Sequence, residues 1–480
     1  MSSVVVKPHV VILGAGPAGL GAAFQLTRRA LARVTVLEQH DRVGGNAGSF
    51  ELAGIRVDYG SHRLHPSCDP EVLEDIRTLL GDDLLDRPRH GRIRLCGRWI
   101  HFPLKPIDLA FGLPPSFSIG VAGDLVRKAV GNDDGRGHEE TFASVLEKGL
   151  GRTICENFYF PYVQKIWGLK PEELAVTLAR RRVSANSLSK MTRKVFGVIS
   201  GSTAQGRGRF FYPRHGYGQI SEAYYRAARD AGAAVHFGSR VQSVEISKKS
   251  IKRVAYQDSH GRINALDADH VWSTIPITVL AKSLKPAAPT EILHGAARIQ
   301  YRAMILIYLV LEQKQFSEFD AHYFPEASIP ISRLSEPKNY RGVEEPENLT
   351  VLCAEYPCAP DGPEWSQTDE ELGHLACNAL DAAEIPVRAS IKNIVTRRLR
   401  QAYPIYQQGY EVYFDQLDRW LNEIEGLITF GRQGLFAHDN THHALYMAYA
   451  AVKCFSKNGS FDAGLWQQYR DIFQTHVVED

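Results

Sequence analysis

Apolar residues in this 480-residue chain gather in short dense runs, and a succession of run, glycine turn and helix occurs in three separate places. The first lies near the start. Residues 9–13 (HVVIL) are apolar at successive positions rather than alternate ones, as in a strand covered on both faces of a parallel sheet. A glycine-rich hexapeptide follows, then helical spacing over 18–30 and a second apolar strand over 33–38. Asp69-Pro70-Glu71 carries a helix-start signature, continued by Val72, Ile76, Leu79 and Leu80 at helical spacing.

The second place spans about 208–283. A glycine-rich turn, FYPRHGYG (211–218), leads into a helix over 220–231, with Gly232 where a terminating glycine belongs. Strands over 234–237, 241–246 and 270–275 follow, with a hairpin at Ser259-His260-Gly261. The third place, about 425–456, holds a strand over 427–430, a glycine turn and a helix from near Thr441. Two long insertions separate them. Residues 85–205 are mixed and largely helical in their second half, and residues 285–420 carry strand-like runs such as MILIYLVL (304–311) and TVLCAE (350–355). GNDDGRGH (131–138) reads as an exposed loop, and no internal repeat is visible. The pattern predicts one α/β domain assembled from 7–80, 208–283 and 425–456, interleaved with a mixed α+β domain built from 85–205 and 285–420.

Composition narrows the class without changing the picture. An apolar fraction of 44% and a charged fraction of 23% are ordinary for a globular protein and exclude disorder and disulfide scaffolds. A net charge of +2 with no long basic run argues against a nucleic-acid partner; Arg180-Arg181-Arg182 reads as a solvated helix surface, although an anionic substrate could use it. Seven scattered cysteines without a Cys-x-x-Cys pair read as reduced, structural thiols in a cytoplasmic protein, and no metal site is expected. The N-terminal apolar run leads straight into the glycine turn, which predicts no cleavable leader. No apolar run reaches the ~18–20 residues of a membrane span, which leaves peripheral membrane contact open. For the Pro-interrupted stretch 102–122, internal packing is the default expectation.

The chemistry is carried first by Gly14-Ala15-Gly16-Pro17-Ala18-Gly19, placed between a buried strand and a helix. Its glycines serve a tight turn, close backbone approach to a pyrophosphate, and close helix–strand packing. The helix N-terminus adds free N–H groups and the positive end of a dipole. Glu38 ends the next strand, where a carboxylate accepts from ribose hydroxyls, and Gly44-Gly45 follow within reach. Strand, turn, acid and glycine pair together resemble the FAD-dependent amine-oxidase-like superfamily, which includes protoporphyrinogen oxidases, phytoene desaturases and UDP-galactopyranose mutases. The resemblance implies a Rossmann-type FAD-binding domain, with FAD as cofactor.

Further segments extend the resemblance. DYGSHRLH (58–65) is similar to the loop beside the flavin ring in the mutases, which implies a redox-responsive place there for His62. RIRLCGRWIHFPLKP (92–106) and FYFPYVQKIWGLKPEEL (158–174) resemble stretches of the protoporphyrinogen-oxidase-like branch. The second implies Tyr162, Lys165 and Trp167 as substrate contacts, with Arg182 beyond them. Gly431-Arg432-Gln433-Gly434 resembles the last piece of the FAD site, and Asn440 and Thr441 both cap a helix and face the flavin on this reading. The implied cofactor set is completed by Pro17, Ala18, Gln39, Asn46, Gly60, Ser61 and Val241. Arg333 and Tyr406, in segments recurring in the same branch, are candidates to face the flavin from the substrate side, with His62 the third catalytic candidate.

These readings point to an FAD-dependent oxidoreductase that removes hydride from a C–H (or C–N) group of a small molecule. A non-redox sugar-nucleotide mutase is the alternative, although the two arginines that clamp the nucleotide in the mutases have no clear pair here. A non-catalytic escort protein on the same fold is a second alternative. Intact glycines and Glu38 argue against it.

Overall fold

The computed structural model describes residues 7–102, 108, 112–129, 140–182, 208–342 and 346–478. Strand β1 (His9–Leu13) is buried at every position, so its unbroken apolar run has the two-sided cover it predicts. Helix α1 (Pro17–Arg28) follows, then strand β2 (Arg33–Leu37). They join a five-stranded, wholly parallel sheet in the order Leu427–Thr429, His270–Ser273, β1, β2, Ala234–His236. Its strands come from three separated parts of the chain. The fold class is therefore the expected one, an α/β dinucleotide-type sheet interleaved with a second, mixed body.

Helix α1 lies against Gln219–Asp230 and Thr441–Lys453 on one face of this sheet. A Cβ at Gly21 would come within 2.9 Å of Leu445, so the helix from the far end of the sequence packs directly on the first one. Val10, Ile12, Val34 and Val36 seal that core at 0–1% exposure. Each such side chain contributes roughly 1.5–3 kcal/mol of burial.

The second body is a seven-stranded sheet in the order Ile391–Pro404, Tyr301–Leu311, Thr350–Cys358, Arg333–Ser335, Ala321–Tyr323, Gly91–Leu95, Arg98–Phe102. It is antiparallel except where Ala321–Tyr323 meets Gly91–Leu95. Helix Asp369–Ala382 covers its outer face through Leu372, Ala376 and Leu380, packed on Ile305, Ile307 and Leu309. On the inner face Met304, Tyr308, Val351 and Cys353 pack against Ile55, Val57 and Tyr59 of the first body. That inner face is where the two bodies meet, and the site lies along it.

Element positions agree with the sequence pattern to within a few residues, and Gly232 takes φ +101° just past its helix, as a terminating glycine does. Ile391–Pro404 has no counterpart in the pattern. Its sequence (IKNIVTRRLRQAYP) interleaves charged and apolar residues because long basic stems lie along its partly covered face, so no apolar run marks it. The loop 131–138 lies outside the described residues, as does part of 102–122. The seven cysteines are free thiols, five of them buried.

Candidate functional site

The glycine turn separates three mechanical roles. Gly14 takes φ +99° and donates its N–H to Leu37 O at 2.9 Å, closing the turn over the sheet edge. A Cβ at Gly19 would lie 2.0 Å from Gly14 O, so helix α1 can pack on the turn only without a side chain there. Gly16 differs. A Cβ at Gly16 would meet no atom within 4 Å, so nothing in the protein requires glycine at this position. It caps α1, whose first position is Pro17 and whose first turn, with Ala18 and Gly19, holds no acidic residue. An open cradle before a helix N-terminus with no acid of its own fits a pyrophosphate.

The carboxylate of Glu38, 6% exposed, accepts from Ala15 N–H (2.8 Å) and His40 N–H (2.9 Å). Each oxygen keeps a lone pair for a hydroxyl donor, as a ribose requires. Gln39 beside it is exposed. Val241 is half-buried two residues past Ser239, whose N–H donates to Glu38 O. Gly44 N–H donates to Ala15 O at 2.8 Å, and a Cβ at Gly45 would stand 3.6 Å from Gly16 Cα. The residues present fit the dinucleotide that the sequence implies.

At the far end of this cleft, four chain segments converge. The Gln401 carbonyl accepts from Asn46 Nδ2 (3.2 Å) and from Gln433 Nε2 (2.7 Å). Arg432 donates to Asp439 O and Ala402 O, each at 2.7 Å. Gly431 takes φ +80°, and a Cβ there would come within 2.7 Å of the Ala18 Cβ, so this segment presses on the first turn of α1. Asn440 caps the helix Thr441–Lys453 and donates its N–H to His443 Nδ1.

His62 stands in this ring. Its Nε2 lies 2.9 Å from both Asn46 O and Tyr59 O, two acceptors that fix the proton on that nitrogen, and the ring stacks on Tyr217 at 5.2 Å. Burial pushes the imidazole below its ordinary range against the pull of Asp58, which leaves it neutral with a free lone pair on Nδ1. Asp58 accepts from Ser49 Oγ (2.6 Å), Tyr212 Oη (2.5 Å) and Tyr217 N–H (2.9 Å); burial pushes its carboxyl up. The turn 211–218 belongs to this cluster, since a Cβ at Gly218 would lie 2.4 Å from Ser49 N.

Gly60 takes φ +93°, and Ser61 donates its N–H to Glu355 Oε1 at 2.8 Å while its hydroxyl pairs with Tyr340. Glu355 also holds Arg333 in a two-point pair, Nε at 3.0 Å and NH2 at 2.9 Å. Half-buried Tyr162 and Tyr403, with Tyr323, surround that guanidinium. The sequence reading missed Glu355, Asp58 and Gln401. The one available signal was an acid at the end of the apolar run TVLCAE.

Three of the expected contacts are engaged in hydrogen bonds within the protein. Tyr406 is 1% exposed; its hydroxyl donates to Phe436 O and accepts from His438 N–H, so it offers no surface to a substrate. Trp167, 2% exposed, donates Nε1–H to Pro404 O. Lys165 donates to the carbonyls of Phe324, Glu326 and Ile331, which uses all three of its protons; burial lowers it to about 7. Lys165 and Trp167 hold the second body together, and Tyr406 ties it to the segment 425–456 of the first. The Arg182 side chain lies outside the described residues. Arg181 is no solvated residue: 13% exposed, it pairs with Asp439 at 3.2 Å.

Asp439, His443 and His476 bring ligand-type atoms within 4.8 Å of one another. The two imidazoles stack near parallel at 4.2 Å, so their in-plane lone pairs do not converge on one ion, and Asp439 is taken by Arg181 and His476. Burial pushes the Asp439 carboxyl up, but the His476 hydrogen bond and the Arg181 charge outweigh it and hold it low. Among the described residues no helix is long and apolar enough to cross a membrane.

Comparison with known proteins agrees with this geometry. A family model described as flavin-containing amine oxidoreductase matches residues 17–445. The chain is 25% identical over 328 residues to a phytoene dehydrogenase of Streptomyces griseus, covering 61% of this chain and 59% of that protein. It is 24% identical over 333 residues to an L-amino-acid oxidase of Bungarus fasciatus, covering 64% and 58%. The chain thus spans about three-fifths of the length of these curated relatives. In shape it is similar to reduced UDP-galactopyranose mutase, with a TM-score of 0.78 at 20% identity over 93% of each chain. A candidate protoporphyrinogen oxidase from Exiguobacterium sp. 255-15 superposes with a TM-score of 0.70 at 18% identity, over 94% of this chain and 98% of that one.

Proposed function

This chain belongs to the family of flavin-containing amine oxidoreductases, and from that membership we propose an FAD-dependent oxidoreductase that removes hydride from a C–H or C–N group of a small molecule. The observation that carries the reading is the open cradle at Gly16 beside the buried Glu38 carboxylate. FAD, when bound, supplies the two-electron acceptor.

The chain's own residues supply the rest. The N-terminus of α1 and the Gly16 cradle receive the pyrophosphate, and Glu38 the ribose hydroxyls. His62, held neutral with its Nε2 proton on two carbonyls, offers Nδ1 as an acceptor toward the ring end of the cleft. Arg333, fixed by Glu355, holds its guanidinium beside Tyr162, Tyr323 and Tyr403 to orient the substrate.

A second reading, non-redox mutase chemistry on a sugar nucleotide, is favoured by this guanidinium and phenolic lining, whose N–H and O–H donors suit a diphosphate as well as a carboxylate. Anaerobic mixing of the yellow protein with amines, amino acids and sugar nucleotides tests the two. Oxidoreductase activity predicts bleaching of the flavin band by a C–H or C–N donor. Turnover of a sugar nucleotide seen only after dithionite reduction, with no bleaching by any donor, would replace the first reading with the second.

A further inference from the structure

Strand Thr350–Cys358 carries one acid in its interior. Val351, Cys353 and Glu355 share one face by the two-residue period of a strand, and the first two pack on Ile55, Val57 and Tyr59. Glu355 therefore points into the seam between the bodies, with its side chain 4% exposed. There its carboxylate takes three N–H donors: Ser61 N–H, Arg333 Nε and Arg333 NH2. Gly60 accommodates the approach, since a Cβ at that φ +93° glycine would sit 3.4 Å from Glu355 Oε1.

A buried ion pair is a poor source of stability, because desolvating both charges offsets most of their attraction. Apolar residues of the same size would hold the seam as well. What the pair provides is geometry and charge. Arg333 reaches the tyrosine-lined cleft only in the orientation that two parallel hydrogen bonds allow. The same carboxylate ties the loop carrying His62 to the second body. It also cancels the guanidinium charge, which otherwise would stand unpaired in a medium of low dielectric constant beside the ring end of the cleft.

We propose that Glu355 is a positioning residue, which aims and neutralises Arg333 and anchors Ser61 so that this pair adds no net charge beside the flavin ring. The proposal rests on the FAD reading above. Its test uses a probe that needs no substrate: sulfite adds reversibly to oxidised flavin and leaves negative charge on it, so its affinity reports the local field. In the FAD-bound protein, Glu355→Gln should tighten sulfite by roughly tenfold or more, since one unpaired charge within about 10 Å of the adduct would be worth over ~1.4 kcal/mol at an effective dielectric of ~20. Arg333→Gln should weaken it by about threefold or more, and the double variant should return to within about threefold of wild type. A loop that merely loosens would lower FAD retention in Glu355→Gln and would not be restored by removing Arg333. Unchanged sulfite affinity in Glu355→Gln overturns the proposal, as does a double variant that stays shifted. Should Glu355→Gln fail to hold FAD, the double variant decides: restored FAD retention with sulfite affinity near wild type supports the proposal, and continued loss overturns it. A wild-type protein that takes up no FAD would instead overturn the functional reading.

Discussion

Gly14, Gly16 and Gly19 sit in one hexapeptide, yet the fold needs only two of them. Gly19→Ala would set a methyl 2.0 Å from a backbone carbonyl. It should cost the apo-protein about 3 kcal/mol or more by forcing α1 off the turn. Gly16→Ala should leave apo-protein stability within about 0.5 kcal/mol, because its methyl enters empty space, while weakening FAD by tenfold or more. Thermal unfolding of the apo-proteins, with FAD titration followed by flavin fluorescence, separates the two effects. Equal FAD affinity in Gly16→Ala and wild type would remove Gly16 from the cofactor site.

His322 gives a second prediction at this scale. It is 1% exposed, and burial holds its imidazole down to about 3, with the Arg92 charge adding to the effect. Between about pH 3 and the ordinary histidine value, the unfolded chain binds a proton that the folded one refuses. Stability contributed by the neutral side chain is therefore full above that window and falls as pH drops through it. His322→Leu should remove close to 1.4 kcal/mol per pH unit from the acid slope below pH ~6. Urea unfolding of the apo-protein at pH 6.5 and 5 checks this; an unchanged slope contradicts it. The glycines and Glu38 were legible because their roles are local. The internal hydrogen bonds of Lys165, Trp167 and Tyr406 were not legible, because a motif gives a residue's place in the chain and not whether it faces solvent. Glu355 was illegible because its partners, Ser61 and Arg333, lie far away in sequence.

Among the elements, the helix Val176–Arg182 shows how little a charge run says about its setting. Arg180 is 71% exposed and reaches Glu140 only at 3.7 Å, whereas Arg181 enters the interior to meet Asp439, whose side chain is 0% exposed. Arg181→Met should destabilise the protein by about 3–5 kcal/mol, because it strips a charge partner from a buried carboxylate. Arg180→Met should cost less than ~0.5 kcal/mol. Urea denaturation of both compares them, and equal costs would contradict the assignment. Strands with unbroken apolar runs, such as Tyr301–Leu311, were readable because burial on both faces leaves one composition. Ile391–Pro404 was not, since its basic stems lie along a half-covered sheet and imitate a loop.

For the whole molecule, the parallel sheet brings together strands from near residue 10, near 271 and near 428, and the cleft exists only because they are assembled. The three separate stretches of run, turn and helix mark the segments that supply it. The seam between the two bodies was not foretold, since Gln401, which joins Asn46 to Gln433, contributes a backbone carbonyl that no side-chain pattern marks. We propose that FAD occupies this assembled cleft. The most direct test is the visible absorption spectrum of the purified chain, before and after incubation with FAD, with released flavin counted against protein. The expected result is a yellow protein carrying about one FAD per chain and Gly16→Val protein that folds yet stays colourless. A wild-type chain that remains colourless after reconstitution, or a Gly16→Val chain that binds FAD as tightly, would contradict it.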